Sequence, residues 1–145
     1  MLGSIVTQIC DVTYSGCISL ESVTFGAESQ LATLGKAAFK GCSKIKYLSL
    51  PNGVTTLGES VFAECTSIVT AIMGENMAQI GSKAFNGCGS LNIVYSNALV
   101  PPAIGSDVFG GCSSMLTIYV PKDSVKDYHR TKGWSNYKSI IIGAE

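Results

Sequence analysis

With 145 residues, the chain is one ordinary domain, long enough to bury most of the surface its unfolded form exposes. Ten basic residues cancel ten acidic ones, which excludes the electrostatic footprint of a nucleic-acid or anionic-membrane binder. No apolar run approaches the ~20 residues needed to span a bilayer. Charged residues make up only 14% of the chain while glycine occurs 16 times, a balance suited to a repetitive, turn-rich fold. The opening "MLGSIVTQIC" shows no basic region followed by an apolar core, so no export signal is visible in it. Met1 to Cys17 reads as a cut coil, with more chain or a packed neighbour expected on its upstream side.

From Cys17 onward the chain repeats. Cys42 follows Cys17 by 25 residues, and Cys65, Cys88 and Cys112 follow at intervals of 23, 23 and 24. Three residues before each cysteine stands an aromatic: Tyr14, Phe39, Phe62, Phe85 and Phe109. Before these come Leu34-Gly35, Leu57-Gly58, Ile80-Gly81 and Ile104-Gly105, with Ile9-Cys10 in the first copy, so Cys10 fills a glycine slot. The third, sixth and eighth positions after each cysteine read Leu20, Val23, Phe25; Ile45, Leu48, Leu50; Ile68, Ala71, Met73; Leu91, Val94, Ser96; and Met115, Ile118, Val120. Only Ser96 breaks this apolar set.

The end of that pattern alternates with period two and predicts one short strand per copy with one face buried. Gly26, Pro51, Gly74, Asn97 and Pro121 then turn the chain. Segments such as "LGKAAF" carry it back as a short extended piece and a helical turn. One such coil has nothing to bury its apolar face against, whereas stacked coils do. The expectation is an α/β repeat: a right-handed solenoid of about five coils of ~23 residues with a parallel sheet on one face, ~20 Å wide. Repeats would occupy residues 18–120 of a single domain spanning 1–145, after the partial coil 1–17.

The period and the L-x-x-L-x-L core resemble leucine-rich repeats. "LPNGVTTLGESVFAEC", Leu50 to Cys65, is similar to the repeat of the BspA-like (treponemal-type) subclass, and "IYVPKDSVKDYHRTKGWSNYKSII" looks like the closing segment of such proteins from Bacteroides-type bacteria. The resemblance implies a secreted or cell-surface protein that recognises proteins or mediates adhesion, with a host matrix or surface protein as the kind of partner. It names no ligand.

Beyond Val120 the repeat stops. Ser124 stands in a helix-capping position, and Val125 and Tyr128, three apart, fall on one helical face. Trp134 and Tyr137 would then cover the last coil, making 121–145 a C-terminal cap, with a binding element as the alternative. Five of the six cysteines share one rung of successive coils and should point inward as buried thiols, because free cysteine packs as a small hydrophobe. Disulfides are the competing reading, including a Cys10–Cys17 bridge. With one histidine and no C-x-x-C, a metal site is not expected, and no cofactor is implied. His129 with Asp127 and Asp123 suggests at most a remote hydrolase, as no G-x-S-x-G elbow accompanies them.

The outward strand positions are the fifth and seventh after each cysteine: Ser22 and Thr24, Tyr47 and Ser49, Thr70 and Ile72, Ile93 and Tyr95, Thr117 and Tyr119. The row is uncharged and hydroxyl-rich. Tyr47, Ile72, Ile93, Tyr95 and Tyr119 would form a contiguous patch of the kind found at protein interfaces, although β-branched and aromatic residues also simply suit strands. Two functions follow: a non-enzymatic module that binds a protein, or a glycan, through this face, or a spacer or terminal module of a larger surface protein.

Overall fold

The computed structural model describes residues 5–144. Each coil after the first contributes one strand to each of two parallel sheets, and the first contributes a strand to one of them. Two-residue strands β1 (Gln8–Ile9), β2 (Thr33–Leu34), β4 (Thr56–Leu57), β6 (Gln79–Ile80) and β8 (Ala103–Ile104) form one sheet in that order. Longer strands β3 (Tyr47–Ser49), β5 (Thr70–Met73), β7 (Ile93–Ser96) and β9 (Thr117–Pro121) form the other, followed by β10 (Ile141–Ala144) beside β9. The repeat pattern anticipated the longer sheet; the second is built from the pieces expected only as extended returns.

The expected helical turn is a run of turns instead. Within a coil Ala38, Lys40 and Cys42 donate N–H to Gly35, Ala37 and Phe39, while the intervening Ala37, Phe39 and Gly41 donate to Glu59, Val61 and Ala63 of the next coil. This alternation places the residue before the repeat cysteine at positive φ, and glycine holds it in four coils, Gly16, Gly41, Gly87 and Gly111. The third coil places Glu64 there, at φ 61°.

The core lies between the sheets. Phe39, Cys42, Ile45, Leu48 and Leu50 are buried, as are their counterparts in the third coil. Tyr14, Phe39, Phe62, Phe85 and Phe109 stack in one column with centroids 5.2, 5.4, 5.5 and 5.8 Å apart. After residue 121, a one-turn 3-10 helix, α1 (Val125–Arg130) and a second 3-10 helix (Trp134–Ile140) lead into β10.

Three sequence expectations need correction. Ser22 and Thr24 lie on no strand; the first coil makes only an isolated bridge at Phe25, and Leu20, Val23 and Phe25 are half-buried because no described coil packs on their other side. Met115 points outward, 75% exposed, and Leu116 takes the interior place. The turn there starts one residue late: Ser113 Oγ accepts from the Met115 N–H and the Ser113 carbonyl from the Leu116 N–H, which rotates the next side chain inward. Ser124 precedes α1 but does not cap it; its hydroxyl donates to the Leu99 carbonyl at 2.7 Å.

Candidate functional site

The register of the longer sheet decides which outward side chains meet. Tyr47, Thr70, Ile93 and Thr117 are paired in one row across β3, β5, β7 and β9. Ser49, Ile72, Tyr95 and Tyr119 form the second, which β10 extends with Ile142. All eight residues singled out in the sequence therefore fall on one face, and none is charged. Tyr47 and Ser49 are exposed and the other six half-buried, since each lies between neighbours one strand away.

Sequence reasoning missed Ile142, which is 50% exposed and pairs with Tyr119. The signal was present in "SIIIGAE": Ile141 is buried and Ile142 is not, the alternation of a strand. Tyr95 and Tyr119 stack at 5.2 Å and 21°, and Ile72 and Ile142 occupy the next places on either side. Tyr95 and Tyr119 thereby each turn one ring face to the other. Where the first coil diverges from β3, a cleft of about 530 Å³ opens, lined by Glu21, Ser22, Lys44, Lys46, Tyr47 and Ser67.

The cysteine column has a different use. Cys42, Cys65, Cys88 and Cys112 donate their thiols to the carbonyls of Tyr14, Phe39, Phe62 and Phe85, at 3.2, 3.1, 3.1 and 3.3 Å. Each thiol is a second donor to a carbonyl of the coil before it, beside the N–H of that coil's own repeat cysteine. Burial pushes Cys65 up to about 12 and Cys112 to about 11, and raises Cys42 and Cys88 as well, so these are poor nucleophiles at neutral pH. All six cysteines are free thiols, and only Cys10 is exposed.

Ser96, the break in the repeat, is fully buried. Its hydroxyl lies 3.0 Å from that of Tyr128, which donates to the Ala98 carbonyl at 2.8 Å. Trp134 Nε1 donates to the Pro102 carbonyl at 2.7 Å. Together with Ser124 on Leu99, three closing-segment donors converge on the loop 98–102. His129 Nε2 sits 3.4 Å from the Ile141 carbonyl while Asp127 faces Arg130 at 3.5 Å, so imidazole and carboxylate are turned to different partners.

Two parallel sheets, each taking one strand from every coil after the first, around an aromatic and a cysteine column, define a leucine-rich-repeat protein. A model described as the BspA type leucine rich repeat region matches residues 2–116 in 6 copies, and the chain belongs to that family. A leucine-rich-repeat protein of T. pallidum is similar over 80% of this chain and 52% of its own, at 28% identity and a TM-score of 0.71. A leucine-rich-repeat protein of Bacteroides ovatus shares the fold over 97% of this chain and 43% of its own, at 21% identity and a TM-score of 0.63. The chain thus spans about half the length of these two structures. No curated protein matches it. Among the described residues, no helix is long and apolar enough to cross a membrane.

Proposed function

We propose that this is a non-enzymatic recognition module of a secreted or cell-surface protein, and that it binds a protein partner through the outer face of its longer sheet. The observation that carries this reading is the pair of rows holding Tyr47, Ile93, Ile72, Tyr95, Tyr119 and Ile142, uncharged and spread over five adjacent strands. Interface cores are depleted in charge and enriched in such side chains.

The tyrosine stack favours a protein over a glycan, because a sugar platform needs an open aromatic face and here Tyr95 and Tyr119 cover one another. The rows span about 20 Å by about 7 Å, less than the ~800 Å² per partner of a standard interface. Binding is therefore expected to be weak unless the partner also enters the cleft beside Tyr47.

The test is a triple replacement of Tyr47, Tyr95 and Tyr119 by serine, with binding to extracellular host proteins measured by surface plasmon resonance beside the melting temperature. The reading expects at least a tenfold loss of affinity for whichever protein the parent chain binds, with melting little changed. Undiminished binding would sink it. The second reading, a spacer or terminal module of a larger protein, is favoured by the roughly twofold greater length of the similar structures. A parent chain that binds nothing in a broad protein and glycan screen would support that reading instead.

A further inference from the structure

The chain holds two Asn-Gly pairs, Asn52-Gly53 and Asn86-Gly87, and they sit in different surroundings. An asparagine followed by glycine carries a latent reaction, because the next backbone nitrogen can reach the side-chain amide and glycine has no Cβ to stand in its way. Two things hold the reaction back: an acceptor on that N–H, and a partner that fixes the side chain. Asn86-Gly87 has both. The Gly87 N–H donates to the Gly110 carbonyl at 2.7 Å, as one rung of the cross-coil ladder. Asn86 Nδ2 donates to Asp107 Oδ2 at 3.1 Å and to the Asp107 carbonyl at 3.4 Å. Both residues are half-buried.

Asn52-Gly53 has neither. Both residues are exposed at the tip of a four-residue turn that the Val54 N–H closes on the Pro51 carbonyl at 3.1 Å. Among the described residues the Gly53 N–H donates to no backbone carbonyl. Asn76 Nδ2 reaches this pair at the Asn52 main-chain carbonyl, 2.9 Å away, and so leaves the Asn52 side-chain amide unheld. The equivalent turn of the third coil shows the contrast: there Asn76 is followed by Met77, whose N–H is taken by the Gly74 carbonyl at 3.3 Å.

We propose that Asn52-Gly53 is a site of spontaneous deamidation and main-chain isomerisation in the folded protein, and that the stacking of coils shields Asn86-Gly87 from the same reaction. Hydroxide removes the Gly53 N–H proton, and the nitrogen's electron pair forms a bond to Asn52 Cγ. The bond from Cγ to the side-chain nitrogen breaks, and that nitrogen leaves as ammonia with a proton from water, which regenerates hydroxide. A five-membered succinimide remains, and water opens it at either carbonyl. Attack at Cγ restores the ordinary peptide with aspartate at position 52. Attack at the main-chain carbonyl gives isoaspartate, its main chain routed through Cβ and Cγ. This second product lengthens by one atom the ring that the Val54 to Pro51 hydrogen bond closes, directly before buried Val54. It does so where the third coil packs closely, since a Cβ added to Gly74 would stand 2.7 Å from Asn52 Cα. The isoaspartate form therefore unfolds more easily than the aspartate form.

The test ages the full chain at mildly alkaline pH, folded and in guanidinium chloride, and follows it by peptide mass mapping and by isoaspartyl methyltransferase labelling. In the folded chain Asn52 should convert roughly tenfold or more faster than Asn86, since Asn86-Gly87 reacts only when its cross-coil bonds open. In guanidinium chloride the two should convert at similar rates. Asn52→Gln should abolish the labelling of the folded chain. Asn52→Asp, which carries the charge without the rerouted main chain, should melt like the parent, and the chromatographically separated isoaspartate form should melt lower. Conversion of folded Asn52 no faster than that of Asn86 would overturn the proposal, as would labelling that survives in Asn52→Gln. An isoaspartate form as stable as Asn52→Asp would overturn the predicted strain on the turn.

Discussion

At the scale of single residues, the repeat cysteine acts as a buried donor. An aliphatic side chain would fill the same space and leave the carbonyl of the preceding aromatic with only its backbone donor, at a cost of about 0.5–1.5 kcal/mol. Cys65→Ala should therefore lower stability by about 1–2 kcal/mol, combining a small cavity with the loss of one of the two hydrogen bonds to the Phe39 carbonyl. Cys10→Ala, on an exposed residue, should change it by no more than a few tenths. Urea unfolding of both variants checks this. The same burial makes the fold alkali-sensitive. Cys65 and Cys112 are raised from about 9 to about 12 and about 11, so the unfolded thiols ionise first. The stabilisation is fully present below about pH 9 and is lost as pH rises toward the folded values. Melting temperature should fall between pH 9 and 11, and less steeply in Cys65→Ala. Backbone conformation supplies a third expectation. Glu64 occupies a positive-φ place that glycine holds in the other coils, so Glu64→Gly should be neutral or stabilising by up to about 1 kcal/mol, while Gly87→Ala should cost about 1 kcal/mol. Opposite signs by differential scanning calorimetry would contradict that account.

At the scale of elements, the closing segment depends on three polar side chains reaching one loop. Tyr128→Phe would leave buried Ser96 with its hydroxyl unpaired and free the Ala98 carbonyl, at a cost of about 1–3 kcal/mol. Because that loss is local, hydrogen exchange of the β10 amides should accelerate roughly tenfold or more while β5 amides change little. Uniform acceleration throughout the chain would show that the segment does not open separately. These contacts were not legible in the sequence, because Ser96 and Tyr128 are 32 residues apart. Periodicity marked Ser96 only as a defect. The expectation of a Ser124 cap failed for a related reason: a local helix signal competed with a carbonyl 25 residues away, and the distant acceptor won.

At the scale of the whole molecule, neutrality and an uncharged sheet face lead to one more expectation. Affinity for a partner on the sheet face should change less than about threefold between 50 and 200 mM salt, measured by isothermal titration, because no concentrated charge steers the encounter. A steep decline would move the contact to the Lys44 and Lys46 side of the cleft. The rows themselves were legible in the sequence, since alternation fixes which residues of a strand share a face and the repeat fixes which strands are neighbours. Tyr47, Ile72, Tyr95 and Tyr119 all came to that face. The first coil is the exception. Its residues follow the pattern, yet Ser22 and Thr24 form no strand, because pairing needs covered neighbours as well as the right side chains.

By itself the sequence determined the repeat, its cysteine and aromatic columns and the composition of the sheet face, because each is set by spacing within one coil and every coil states it again. Tertiary structure alone decided the second sheet, the turn-only return with its cross-coil backbone hydrogen bonds, the purpose of Ser96 and the exposure of Met115. These depend on what one coil meets in the next, or in the closing segment, and a period carries no information about groups that occur only once.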